Sequence, residues 1–269
     1  MPSTERLEQL RRLSSDELVN AYIARGAPVP SWQATVDGYF LTSIPSASKL
    51  ASLKYHPSLK RVLLGDCAAE GLIFAMGVQA QQLDFEKVSS LAISHLGSSE
   101  AAKEVLHMYG MSAEQTSEQL FKSVIRLLTD AEWSQPINCV AKSIPGKKFY
   151  YNISAQNPFP GPTQGTAHHG VDLLFTFLTY QEYLPESMKG LAVVVAGKWL
   201  DFVNGKEPWG AFEGGESGDG VMMGFGESGE FGERKEKEKS SYNGLRLCEG
   251  LQDRIGSLAA ALRGEVIYE

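Results

Sequence analysis

Leu63-Leu-Gly-Asp-Cys-Ala-Ala-Glu-Gly71 closes the apolar run that begins at Lys60-Arg-Val-Leu-Leu-Gly65. The run reads as a short buried strand ending in glycine, with a turn over Asp66 to Glu70. A carboxylate therefore stands just beyond the end of a strand. The same arrangement recurs downstream. Lys148-Phe-Tyr-Tyr-Asn-Ile-Ser154 is rich in aromatic and branched residues and reads as a second buried strand. A loop of prolines and glycines, Asn157-Pro-Phe-Pro-Gly-Pro-Thr-Gln-Gly165, follows it and leads into Thr166-Ala-His-His-Gly170. Strands separated by long helical stretches point to an α/β fold with a largely parallel sheet. Such sheets carry their sites beyond the carboxyl ends of the strands.

The intervening sequence fits that plan. Ser14-Ser15-Asp16-Glu17 has the spacing of a capping box, with Leu18 and Tyr22 following at helical steps. Several helices are expected from Phe85 to Leu128, broken near Gly97-Ser98-Ser99 and Gly110-Met-Ser112. Leu191, Val195, Trp199 and Phe202 mark one apolar helix face, and Leu245, Cys248, Leu251, Ile255, Leu258 and Leu262 mark a final amphipathic helix. Residues 1–212 and 242–269 read as parts of one domain. Residues 213–241 read as a flexible insertion, poor in apolar residues and ending in the charge run Glu233-Arg-Lys-Glu-Lys-Glu-Lys239.

A net charge of −7 and a pI near 5.4 argue against a general nucleic-acid binder, which needs a basic face. The longest apolar candidate, Gly190 to Ala196, is too short to span a membrane. The N-terminus lacks the apolar centre of a signal peptide, so a soluble, cytoplasmic chain is the default. Cys67, Cys139 and Cys248 are odd in number and widely spaced, which suits neither a disulfide framework nor a zinc site. No cofactor or metal is expected. His168 and His169 make a poor metal site, because adjacent side chains point apart and no further His or Cys lies nearby in sequence. Asn152-Ile153-Ser154 fits the glycosylation sequon but falls in a strand expected to be buried.

Glu70 and His169 are the residues through which chemistry would run. A carboxylate that fixes a histidine's tautomer, and a histidine that takes a proton from a hydroxyl, form two-thirds of a hydrolytic triad. The order Glu then His is that of α/β-hydrolases, in which the serine comes first. The third member is harder to find. Gly-Glu-Ser-Gly occurs at 215–218 and again at 226–229, but Gly-x-Ser-x-Gly needs a glycine two places after the serine. Asp219 and Glu230 stand there instead. No buried strand leads into the first serine, which Ala211-Phe212-Glu213-Gly214 precedes, and no Gly-x-Ser-x-Gly occurs anywhere in the sequence. Cys67 also lacks the turn of a nucleophile and reads as a small buried hydrophobe.

Taken in order, these stretches resemble the C-terminal half of a type-B carboxylesterase, the family that includes cholinesterases and many fungal esterases. The resemblance runs through Leu10-Arg-Arg-Leu13, Thr35-Val-Asp-Gly-Tyr-Phe-Leu41, Leu63-Leu-Gly65 and Ala69-Glu-Gly71. It continues through Leu128-Thr-Asp130, Pro136-Ile137, Ala167-His-His-Gly-Val-Asp172, Trp199-Leu-Asp-Phe-Val-Asn-Gly205 and Trp209. It implies the C-terminal half of an α/β-hydrolase fold, a partial and mostly parallel sheet flanked by helices. It also implies hydrolysis of carboxylic esters by a Ser-Glu-His triad. In that scheme Glu70 is the acid, His169 rather than His168 is the base, and Asp172 is an outer hydrogen-bonding residue. The family's serine and oxyanion hole lie upstream of everything present, so a small-molecule ester is the expected substrate once an N-terminal half completes the site. The alternative is a truncated, non-catalytic module acting through protein association, since a half-sheet leaves an edge strand open to self-association.

Overall fold

The apolar run at 61–67 forms β1 (Arg61–Cys67), and the aromatic run forms β2 (Lys147–Ile153) parallel to it. The register pairs Arg61 with Lys147 and Cys67 with Ile153, so both strands end at the same rim of the sheet. The computed structural model describes residues 3–24, 36–39, 42–43, 46–50, 52–214, 219–226, 229–239 and 250–265. Thr35, Phe40 and Leu41 of the family-like stretch lie outside them, as do Ser217, Ser228 and Cys248.

The chain divides into two units, Met1–Ile44 and Pro45–Glu269, a boundary the sequence reading placed nowhere within residues 1–212. In the first unit α1 (Ser3–Arg12) and α2 (Ser15–Ala24) meet at Ser14. The Glu17 amide donates to Ser14 Oγ at 3.2 Å, and the Ser14 amide donates to the Glu17 carboxylate at 2.7 Å. That is the reciprocal capping box the spacing predicts.

The second unit holds a four-stranded sheet in the order β1-β2-β3-β4. The crossover from β1 to β2 carries α4 (Ala75–Ala80), α5 (Phe85–Leu96), α6 (Ser99–Met108), α7 (Ser117–Thr129) and α8 (Gln135–Ser143). α3 (Ala47–Leu50) precedes β1. The crossover from β2 to β3 carries α9 (Asp172–Thr176) and α10 (Glu186–Val203). Gly97 and Gly110 stand where α5 and α6 end, at the breaks the sequence marks. α11 (Gln252–Leu262) buries Ile255, Leu258 and Leu262 against α5 and α7.

Strand alternation divides the core between the two faces of the sheet. Phe149, Ile153, Met223 and Phe225 pack with Leu191 and Val195 of α10 and with Trp209 on one face. Tyr150 and Met222 pack with Ala141 of α8 and Phe212 on the other.

Residues 219–239 are where the sequence reading fails. Far from forming a solvated insertion, they provide β3 (Val221–Phe225), parallel to β2, and β4 (Phe231–Lys235), antiparallel to β3. Met222, Met223 and Phe225 are almost wholly enclosed, and Glu236 is 2% exposed. The physical reason is local. A five-residue strand needs only its alternate apolar side chains to enter the sheet, and the charges of Glu233, Arg234 and Lys235 then lie on the outer strand, where charge opposes edge-to-edge pairing.

Candidate active site

Glu70 is set by its neighbours on both sides. Beyond β1 the chain turns into a single-turn 3-10 helix, Glu70–Phe74, pressed against α7. A side chain at Gly71 would put its Cβ 2.5 Å from the Ile125 carbonyl oxygen and 2.8 Å from the Thr129 nitrogen, so only glycine allows this approach. The Gly71 amide donates to Thr129 Oγ1 at 2.9 Å. Glu70 is left 5% exposed, with Oε1 accepting the Cys67 amide at 2.7 Å.

His169 reaches the same place from β2. The Ala68 amide donates to the Ile153 carbonyl and the Ala69 amide to the Ala167 carbonyl, both at 2.9 Å. An isolated parallel bridge joins Ala69 to His168, so the two loops continue the pairing of the strands they leave. Gly170, at φ +80°, makes the left-handed turn into α9. His169 Nδ1 donates to Glu70 Oε2 at 2.6 Å, the short contact of a charge-assisted hydrogen bond. His168 turns aside, its Nδ1 donating to the His169 carbonyl at 2.8 Å. With Nδ1 so engaged, Nε2 is the ring atom able to accept a proton. The imidazole side chain is 46% exposed, against 7% for that of Glu70.

Sequence reasoning missed Trp133. It sits on the π-helical turn Asp130–Ser134, and its ring lies 5.5 Å from that of His169 and 5.5 Å from that of Phe74. The one signal was its place between the two marked stretches Leu128-Thr-Asp130 and Pro136-Ile137. Asp172 opens α9, close enough that its charge helps raise Tyr151 after burial and raises Cys67 after burial and Glu70. Among the described residues its carboxylate makes no hydrogen bond to Glu70 or His169. Burial first, then the charge of Glu70, holds the Cys67 thiol well above its usual range, which suits a packing residue and not a thiolate nucleophile.

A second group of polar residues, also missed, lies around Asp66. Its Oδ2 accepts from Ser134 Oγ and from Lys239 Nζ, both at 2.5 Å, and its Oδ1 accepts from Asn152 Nδ2 at 2.8 Å. Lys239 Nζ also lies 2.9 Å from the Tyr150 hydroxyl oxygen and 3.2 Å from Ser134 Oγ. The two charged side chains are 4% and 0% exposed. A cavity of about 30 Å³ beside them is lined by Asp130, Arg126, Thr129, Ser134, Asn152 and Lys239 among others.

Asp130 accepts from the Tyr109 hydroxyl at 2.9 Å, and burial pushes its carboxyl up to about 7. A folded-state value above the unfolded one means that the native chain holds an extra proton between the two. Stability should therefore fall as pH rises from about 4 to about 7. Asp130→Asn, which keeps an acceptor for Tyr109, should flatten that fall. Urea midpoints read at pH 4, 6 and 8 would measure it, and an equally steep fall in the variant would refute it.

No family model matches the chain. Solved structures do. One is a carboxylesterase of Geobacillus stearothermophilus, with a TM-score of 0.64 and 16% identity over 89% of this chain and 50% of that one. A PNB esterase gives a TM-score of 0.61 and 17% identity over 90% and 50%. The chain has the fold of the C-terminal part of an α/β-hydrolase. EstA of Aspergillus niger shares that fold, with a TM-score of 0.57 and 15% identity over 86% of this chain and 47% of that one. In sequence, Lipase 3 of Yarrowia lipolytica is 25% identical over 157 residues, which cover 56% of this chain and 29% of the lipase. The α/β-hydrolase half-fold described here thus spans about half the length of the solved esterases it matches. Among its described residues no helix is long and apolar enough to cross a membrane.

Proposed function

We propose that Glu70 and His169 are the acid and base of a carboxylic ester hydrolase whose nucleophilic serine and oxyanion donors come from sequence outside these 269 residues. The observation that carries this is the 2.6 Å contact between His169 Nδ1 and a nearly buried Glu70, with the opposite edge of the ring free to face a nucleophile. The likeness to solved esterases supports it at the level of the fold. In the reaction a serine hydroxyl would attack the ester carbonyl, His169 Nε2 would take its proton and return it to the departing alcohol, and Glu70 would stabilise the imidazolium between those steps. A water molecule would then release the acid by the same route.

The chain by itself should hydrolyse short p-nitrophenyl esters no faster than its His169→Ala variant. Joined to the coding sequence immediately upstream, it should hydrolyse them with an activity that a fluorophosphonate abolishes. A probe that labels Ser217 or Ser228 of the isolated chain, with the label lost in His169→Ala, would place the nucleophile within this chain and overturn the reading. A joined protein that folds but is inert would leave the non-catalytic module as the answer.

A further inference from the structure

The Lys239 ammonium touches both elements that flank the His169 ring. Through Asp66 it holds the end of β1, one residue before the Cys67 amide that bonds Glu70. Through Ser134 it holds the π-helical turn, one residue after the Trp133 ring that lies against His169. Tyr150, its third partner, belongs to β2, the strand from which the histidine loop departs. The ammonium thus lies where the acid's strand, the base's strand and the aromatic wall come together, 173 residues along the chain from Asp66.

A fully buried ion pair is a poor way to add stability, since apolar residues of similar volume often do as well or better. What it adds is direction. Hydrogen bonds at fixed angles define the spacing between two elements more narrowly than apolar packing does. Lys237, two residues earlier in the same charge run, pairs with Asp219 at 2.7 Å but is 51% exposed, so of these two lysines only Lys239 is enclosed.

We propose that Lys239 is a positioning residue for the acid–base pair, clamping the strand that delivers Glu70 to the turn that delivers Trp133. The inference rests on the reading of Glu70 and His169 given above. It assigns the segment that follows β4 a role in the site.

The test uses the full chain with ¹⁵N-labelled histidine and follows the His169 Nδ1 proton, whose bond to a carboxylate moves its resonance downfield. The resonance should be present in the wild type and in Val105→Ala, a core truncation between α5 and α6 that lowers stability without touching the site. It should be lost in Glu70→Gln and in Lys239→Met. It should also be lost in the double variant Asp66→Asn, Lys239→Met, which leaves no unpaired buried charge and so is the more stable of the two variants. An unchanged resonance in the double variant, or in a folded Lys239→Met, overturns the clamp. Its persistence in Glu70→Gln, or its absence from the wild type, overturns the acid–base pair itself. Loss in Val105→Ala as well would show that the signal follows global stability, and this too would overturn the clamp.

Discussion

Lys239→Met should lower the stability of the chain by about 3–5 kcal/mol, the penalty for leaving a buried charge without its partner. The methionine keeps most of the stem's volume, so the loss falls on Asp66, which is fully enclosed and would keep only Ser134 and Asn152 as donors. Burial alone would lower the Lys239 pKa, but the Asp66 carboxylate and the Tyr150 hydroxyl outweigh it and the ammonium is held above its usual range. A folded value above the unfolded one gives a contribution that is complete below the unfolded lysine value of about 10.4 and lost only as pH rises through the folded one. The whole effect is therefore present at neutral pH. Adding Asp66→Asn should recover most of it. Denaturant midpoints of the wild type, the single and the double variant would measure both steps, and a single variant within about 1 kcal/mol of the wild type would show that water reaches Asp66.

In a protein that joins this chain to its nucleophile, His169→Ala should reduce kcat by about 10⁶-fold and Glu70→Ala by about 10⁴-fold. The gap between them is the informative part. The histidine moves the proton, whereas the carboxylate orients the ring and stabilises its charge, so an enzyme without Glu70 keeps part of the base's work. KM for a short ester should move little in either case, because neither side chain binds the ground state. Equal losses from the two variants would mean that Glu70 mainly holds the loop in shape. His168→Ala should leave kcat within about threefold, since that ring only caps a neighbouring carbonyl.

Much of this arrangement was legible in the sequence, and the pattern of misses has physical causes. β1 and β2 were visible as contiguous apolar or aromatic runs. The two side chains that meet beyond them were visible too, as a carboxylate and a histidine each placed in a loop just past such a run. The helical breaks at Gly97 and Gly110 announced themselves by residue type. β3 did not, because Val221-Met-Met-Gly-Phe225 is a five-residue island, and its apolar character disappears when averaged over a stretch rich in glycine and glutamate. Lys239 was hidden by its company. In Glu236-Lys-Glu-Lys239 the composition says that a solvated run is present, but only the path of the chain says which ammonium turns inward. Trp133 was missed for a reason of period, since a π-helical turn adds a residue per turn and rotates the side chains that follow away from the faces an α-helical count assigns. Asp66 had been counted as part of a turn, whereas it is a residue of the strand itself.

The separation of Asp66 from Lys239 also has a meaning in time. The two residues that complete the buried pair leave the ribosome 173 residues apart, which is roughly 9–35 s at ordinary rates of elongation. Until the later one emerges, the carboxylate at the end of β1 has no counter-charge and is most stable in water, so the rim of the sheet that carries Glu70 cannot close around it. Glu70 and His169 are both made well before then, and under the proposed clamp their shared hydrogen bond waits on the segment that follows β4. A nascent chain halted before residue 239 holds both Glu70 and His169 in an unfinished sheet, and quality-control proteases would find it open.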